Sequence, residues 1–452
     1  MKDTPRVVLP QVPRLRALMD SPAMTRNPVA VMERYRKEFG ATFRFHFGGA
    51  KPLLVSSDPA FIEHVLKDHQ RYHKAEIQVE RMAEFQGQGL LNSHGAHWLR
   101  QRKHLGVGFR QRQLVGLLPM QKETLGQLMD EFGQLVSQGP VDVYGQMVRF
   151  TLSLVGRSLF GHELPEQTLE KIGAAITQIQ GFIVRQIVYP YMIPWYRLSG
   201  QSAHYQRIRQ QADDLIRQHI AARTSDGGTD LLGMMLNTPY KDNGAPMTDE
   251  QALVESLQLM VAGNETSSVA LSWTMYLLAQ HPEYIQKIRD EIQEVMGTDS
   301  PTLETLHQLP LTMRVVDEAM RLYPSFWMFD RLAMEDAVIE GIDVPAGTMM
   351  GIYIYGAHRN PEFWTEPDRF DPSRFTKENK KTRPMYAHLP FGGGPRKCIG
   401  ANMAVVQILL VLVAIVRRYD FECSEPGVVG IKPMFILRPE GPIKMNFRPV
   451  PK

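Results

Sequence analysis

A chain of 452 residues, 43% of them hydrophobic, is long enough to bury a large core. Its 51 Lys and Arg against 48 Asp and Glu leave a formal charge of +3, too balanced for wholesale binding of nucleic acid. With only two cysteines, Cys398 and Cys423, neither a disulfide framework nor a zinc ribbon can be built.

The N-terminal stretch MKDTPRVVLPQVPRLRALMD carries no apolar run of signal-peptide length, so a soluble, cytoplasmic protein is expected. Strand-like stretches come first, at Thr42–Phe47 and Pro52–Ser56. Helical patterning then dominates from about Asp58 to Leu322, and another strand-like stretch covers Thr348–Tyr355. Turn-rich segments at Ser225–Thr229, Lys241–Pro246 and Lys377–Pro384 are short, and no repeat is present. The simplest architecture is mainly α with a small β region, as one domain over residues 1–452. Its β-rich lobe is drawn from about residues 40–60 and 330–360 plus C-terminal strands, with helices elsewhere.

The clearest single element begins at Thr248. Thr248-Asp249-Glu250-Gln251 fits a capping box, in which Thr248 caps the first turn and Gln251 reaches back. Apolar residues persist to Leu278, and about thirty residues make a helix of about 45 Å, long enough to cross a domain. The polar run Ala262–Ser268 interrupts it, and Gly263 costs about 1 kcal/mol relative to Ala there. Two readings stand: a kink solvated by its neighbours, or a widened turn that opens space beside a cofactor and presents a hydroxyl and a carboxylate. Met403–Val416 is the most apolar run; a membrane span needs roughly 20 such residues, so a core helix and no membrane span are expected.

Just before that run lies Phe391-Gly-Gly-Gly-Pro-Arg-Lys-Cys-Ile-Gly400. Three glycines and a proline make a tight loop with little side-chain bulk. Such a loop can approach a flat macrocycle and aim backbone N–H groups at the Cys398 sulfur, stabilising a thiolate and tuning a bound iron. Gly400 would let the following helix pass close beneath. An isolated buried cysteine would not need this spacing. Cys423, without such surroundings, reads as structural. His94, His97 and His104 suggest a metal site but lack a fourth ligand at sensible spacing.

Phe391-x-x-Gly394-x-Arg396-x-Cys398-x-Gly400 resembles the haem-binding signature of the cytochromes P-450. Other matches follow in the family's order. Trp98-x-x-x-Arg102 is similar to the motif that contacts a haem propionate. Ala262-Gly263-x-Glu265-Thr266 resembles the oxygen-activating motif of the long central helix. Glu318-x-x-Arg321 resembles the buried ion pair behind the haem, with Arg369 of Pro367-Asp368-Arg369-Phe370 as third partner, and Arg331 sits where the family often places another propionate ligand.

The resemblance implies the P-450 fold, heme b held by axial thiolate from Cys398, and monooxygenase chemistry with O2 as co-substrate. It makes Thr266 and Glu265 catalytic, through proton delivery. Trp98, Arg102, Ala262, Gly263, Arg331, Phe391, Arg396, Cys398 and Gly400 become cofactor-binding. Arginines 102, 331 and 396 suit propionates because a planar guanidinium pairs well with a carboxylate. The pocket is placed on Ile77, Val79, Met82, Phe85, Phe182, Ile183, Met260, Phe326, Trp327, Met328, Phe329 and Leu437, a lining suited to a lipid, terpenoid or other hydrophobic natural product. No flavin- or nicotinamide-binding region follows the haem segment, so NAD(P)H electrons would arrive indirectly from a separate protein. Arg100–Arg112 holds five cations and no acid, with Arg396 and Lys397 expected on the same side. It reads either as a docking face for an acidic ferredoxin or flavodoxin, or as a solvated basic face that also holds propionates. A peroxide-driven peroxygenase is the alternative within the fold, but its users tend to replace the acid–alcohol pair retained here. A non-catalytic haem carrier or sensor would not need Ala262–Thr266.

Overall fold

A helix of 32 residues, Asp249–Gln280, runs through the middle of the molecule for about 48 Å. Apart from its central polar run and buried polar side chains such as Glu255 and Gln258 it is largely apolar, and most residues from Ala252 to Leu278 are buried, as expected of a helix enclosed by others. Val143–Phe160, Pro310–Leu322 and Ala401–Arg418 pack directly on it. The computed structural model describes residues 6–46, 52–162, 164–222 and 230–451. The turn expected at Ser225–Thr229, and Phe47 of the first expected strand, lie outside the described residues.

Thr248 caps the central helix by accepting the Gln251 N–H at 3.2 Å. The Gln251 side chain does not reach back to close the box; it donates to the Gln88 carbonyl and to Glu255 Oε1. Through Ala262–Ser268 the α-helix continues unbroken, so the widened turn does not form. Hydroxyls solvate the carbonyls instead. Thr266 Oγ1 donates to the Ala262 carbonyl at 2.6 Å and Ser268 Oγ to that of Glu265 at 2.9 Å. From outside, Thr151 Oγ1 donates to Asn264 and Ser325 Oγ to the Thr266 carbonyl. Gly263 has a packing reason: a Cβ there would come within 3.0 Å of Val155 on the neighbouring helix.

The Ala401–Arg418 helix is apolar and long enough to cross a membrane by composition and length, yet Met403 and the run Val406–Val413 are buried against the other helices.

The main sheet joins the two ends of the chain. Its strands are β1 (Thr42–Phe45), β2 (Leu53–Ser56), β3 (Tyr72–His73), β4 (Phe329–Ala333) and β5 (Met349–Ile352), in the order β1-β2-β5-β4-β3. The β2–β5 pair is parallel with Leu53 opposite Met349, and the others are antiparallel. The strand expected to reach Tyr355 stops at Ile352 because a short helix begins at Ile354.

Glu318 and Arg321 lie one turn apart on Pro310–Leu322, both at 0% side-chain exposure. The guanidinium is bidentate, with Nε to Oε2 at 2.6 Å and Nη2 to Oε1 at 2.8 Å. Its remaining donors reach the carbonyls of His358, Pro367 and Arg369. The expected third partner is therefore corrected. Arg369 offers only its backbone carbonyl, and its exposed side chain pairs with Glu366. The arginine that approaches Glu318 is Arg374, at 3.4 Å, turned inward by the tight turn Pro372–Phe375. Glu318 also accepts the Asp371 N–H at 2.8 Å. Leu389 N–H donates to His358 Nε2 at 2.7 Å, leaving Nδ1 to donate to the Arg321 carbonyl. Burial holds His358 well below the usual imidazole range, so it stays neutral.

Glu318→Ala strands the buried Arg321 and should cost about 3 kcal/mol, whereas Arg374→Ala leaves Glu318 paired with Arg321 and should cost about 1–2 kcal/mol. Arg369→Ala, on the surface, should stay within about 0.5 kcal/mol. Chemical denaturation of the three variants decides: equal losses for Arg369 and Arg374 would sink the assignment.

Candidate functional site

The glycine-rich loop before Ala401–Arg418 is shaped by close approach. Gly394 has φ +64°, and a Cβ there would lie 1.9 Å from the Leu66 carbonyl oxygen, so no other residue fits. The loop closes with the Cys398 N–H donating to the Phe391 carbonyl at 2.9 Å. The Cys398 sulfur opens onto a cavity of about 400 Å³. Burial pushes its thiol up, opposed by a hydrogen bond from the Gly400 N–H and by the Arg102 and Lys397 charges. Packing does not require glycine at 400, where a Cβ would make ordinary contact with Phe109. What position 400 supplies is the N–H.

The cavity wall carries Ala262, Gly263, Glu265 and Thr266 of the central helix, together with Trp98, Arg102, Arg331, Phe391 and Arg396. Four cations meet at one end, and one of them, Lys74, is unforeseen. Burial, then the Arg331 and Arg396 charges, push Lys74 down to about 7. Burial likewise pushes Arg331 and Arg396 down to about 10, and lowers Arg102. The Asp330 carboxylate lies beside them and accepts the Ala75 N–H at 2.9 Å. Arg396 lies over the Trp98 ring at 4.2 Å, with its Nε buried and unpartnered. Such an excess of desolvated positive charge is costly unless anions enter.

Of the expected pocket lining, Met82, Ile183, Phe326 and Phe329 face the cavity. The other eight do not. On the helix Glu76–Gln86 the inward residues are Gln78, Met82 and Gln86, one every four, which turns Ile77, Val79 and Phe85 to other faces. Phe85 and Phe182 pack edge to face at 5.3 Å in a separate core with Tyr196. Met260 is enclosed among the helices. Trp327 and Leu437 point into the core beside the sheet, Trp327 donating to the Met434 carbonyl at 2.6 Å, and Met328 packs at that core's edge. Their places in the wall go to Gln180, Leu259, Val261, Phe435, Ile436 and Arg438. Glu265, expected to belong to the proton relay, is ion-paired with Arg438.

Two buried side chains of the central helix grip a loop at the cavity edge. Glu255 accepts the Leu90 N–H at 3.1 Å and Gln251 Nε2 at 2.9 Å; Gln258 accepts the Leu91 N–H at 2.8 Å. Burial pushes the Glu255 carboxyl up to about 7.

The basic stretch is less uniform than its sequence. Arg100 is paired with Asp242 and Arg102 turns into the cavity, as does Arg396. Lys103, Arg110, Arg112 and Lys397 remain exposed. His94 stacks on His73 at 4.8 Å, and His104 bonds the Met235 carbonyl. No cluster of three or more metal-ligating side chains occurs among the described residues. Cys423 sits in the strand Tyr419–Cys423, partly buried.

A sulfur facing an enclosed apolar space calls for a metal, and four cations clustered at one end call for a ligand with more than one acid group. A haem meets both demands, and the residues present fit it, which places the protein among haem-thiolate proteins. The chain matches the cytochrome P450 family over residues 10–447 and belongs to that family. It is 29% identical over 426 residues to putative cytochrome P450 132 of Mycobacterium tuberculosis, covering 88% of each chain. It is 26% identical over 427 residues to cytochrome P450 3A18 of Rattus norvegicus, covering 90% of this chain and 85% of the relative. With 11-oxo-beta-amyrin 30-oxidase of Glycyrrhiza uralensis it shares 28% identity over 402 residues, 84% of this chain and 75% of the relative. The protein is accordingly a P450 monooxygenase with a haem-thiolate cofactor, a small-molecule substrate and a redox partner.

The folded Glu255 carboxyl binds its proton more tightly than an unfolded one, so its contribution favours folding below about pH 4.5 and is lost as pH rises through about 7. Glu255→Gln should flatten the stability–pH curve across that window, a difference of up to about 1.4 kcal/mol per pH unit. Denaturant midpoints at several pH values measure it, and parallel curves for both proteins would remove the carboxyl from this role.

Proposed function

We propose that this P450 inserts one atom of O2 into a hydrophobic substrate of the lipid, terpenoid or natural-product kind, in the cytoplasm. NAD(P)H electrons reach it through a separate ferredoxin or flavodoxin. The observation that carries the reading is that Cys398, Glu265 and Thr266 line one cavity whose wall is otherwise mostly apolar. In this reading the Cys398 sulfur would hold the iron of heme b, and Lys74, Arg102, Arg331 and Arg396 would hold its carboxylates. Trp98 supports Arg396 from beneath. Phe391, Gly400, Ala262 and Gly263 line the cavity that would take the flat ring, and the Gly400 N–H would keep negative charge on the sulfur.

When bound, the haem supplies oxygen activation, favoured by a thiolate ligand. The chain's own residues bind, orient and deliver protons. Thr266 Oγ1 donates to the Ala262 carbonyl, which leaves its lone pairs to accept from an ordered water in the cavity. Glu265, one residue away, passes protons from solvent to that water. Met82, Ile183, Phe326 and Phe329 exclude bulk water and hold the substrate. The exposed Lys103, Arg110, Arg112 and Lys397 support an acidic partner, whose approach such a patch accelerates in a salt-dependent way.

The carbon-monoxide difference spectrum of the reduced holoprotein tests the ligand, because thiolate and imidazole ligation give different bands. Cys398→Ser should abolish the thiolate band; a band that survives would overturn the assignment. Thr266→Ala should lower product formed per electron consumed by roughly a hundredfold, the low end of the range of a single proton-transfer group, and Thr266→Ser should recover most of it. Unchanged coupling in Thr266→Ala would remove Thr266 from proton delivery.

A further inference from the structure

Arg438 occupies a position that the family signature motifs do not cover. It lies in the strand Leu437–Pro439, which pairs antiparallel with Ile431–Pro433. Side chains alternate along a strand, so Ile436 and Arg438 face the cavity while Leu437, at 0% exposure, faces the core. The strand tip is tied to the central helix on two sides. Trp273 Nε1 donates to the Leu437 carbonyl at 2.9 Å. The Leu437 N–H donates to the Ser325 carbonyl at 2.9 Å, and Ser325 Oγ donates to the Thr266 carbonyl at 2.9 Å. The strand tip, Ser325 and the middle of the helix thus form one hydrogen-bonded unit.

Within that unit the Arg438 guanidinium forms an ion pair with Glu265 Oε1. Both side chains are shielded, at 23% and 13% exposure, and Arg438 Nε is buried without a partner. Among the described residues no second cation lies within 4.0 Å of Glu265. Tyr144, at the start of Val143–Phe160, is the other titratable side chain beside Arg438, with Asp142 before it. Burial pushes the Tyr144 hydroxyl up, so it stays neutral.

We propose that Arg438 is a positioning residue for proton delivery: it holds the Glu265 carboxylate ionised and turned toward the Leu437–Pro439 strand, and substrate packing against Ile436 loosens that hold. This rests on the relay role of Glu265 given above. In each cycle the carboxylate takes a proton from hydronium in the solvent channel and gives it to the water at Thr266, ending ionised and paired again. Because Ile436, just before the strand, and Arg438 within it both line the cavity, a substrate that fills the wall at Ile436 acts on the ion pair two residues away. Proton delivery is thereby tied to substrate fit.

The test uses the holoprotein with Arg438→Gln, Arg438→Lys and Glu265→Gln. Arg438→Gln should lower product per electron consumed by about tenfold, less than the roughly hundredfold or more of a proton-transfer group itself, with little change in substrate affinity, and should move the acid limb of the coupling–pH profile to higher pH. Arg438→Lys should restore most of both. Infrared spectra of the resting protein give a readout apart from turnover: the protonated-carboxyl band that disappears in Glu265→Gln should appear at higher pH in Arg438→Gln than in the wild type. Wild-type protein at neutral pH should lack that band, and finding it there would overturn the proposal even if Arg438→Gln did not fold. Coupling and pH profile unchanged in Arg438→Gln while Glu265→Gln uncouples would defeat this proposal alone. Unchanged coupling in Glu265→Gln would defeat the relay reading as well.

Discussion

The buried pair of Glu318 and Arg321 is the constraint on which the cysteine side of the molecule is built. A guanidinium and a carboxylate at 0% exposure cannot stay charged unless nearly every donor and acceptor is used. Arg321 meets that demand by collecting the carbonyls of His358, Pro367 and Arg369, and so gathers an irregular segment without regular strands around one helix. His358 extends the chain of bonds to the Leu389 N–H, two residues before Phe391. The loop that presents Cys398 is therefore positioned by charge satisfaction at a distance from the sulfur.

The opposite electrostatic situation holds inside the cavity. There the cations Lys74, Arg102, Arg331 and Arg396 cluster at one end with the Asp330 carboxylate beside them, and burial lowers the proton affinity of all four. A dianionic ligand would supply the missing charge there. Cofactor binding and local stability are consequently one free-energy term at this end of the cavity, whereas the apolar remainder contributes shape.

Features set by local spacing were legible in the sequence. The loop Phe391–Gly400, the long helix after Thr248 and the pair at 318 and 321 each depend on residues a few positions apart. Features set by rotation or by distant partners were not. Arg369 and Arg374 lie five residues apart in a proline-containing segment, and only the turn at Pro372–Phe375 decides which points inward. Ile77 and Phe85 have the right chemistry for a pocket but the wrong face of their helix; the spacing of Gln78, Met82 and Gln86 was the available signal, hidden because two of the three are polar. Lys74 and Arg438 could not be found locally, since each meets groups remote in sequence. The mid-helix polar run misled in a different way: hydroxyls from the helix and its neighbours satisfy carbonyls without unwinding it.

The parallel pairing of β2 with β5 sets the order in which the molecule can assemble. Leu53 must find Met349 across almost three hundred intervening residues, and contacts so distant form late because the chain between them must first be ordered. During synthesis the β1–β2 hairpin emerges with one edge unpaired, and it carries the fully buried sequence Leu53–Ser56. Until the last quarter of the chain arrives, that edge is a sticky surface open to other nascent strands. The sheet thus closes late and is exposed to misassembly when translation stalls.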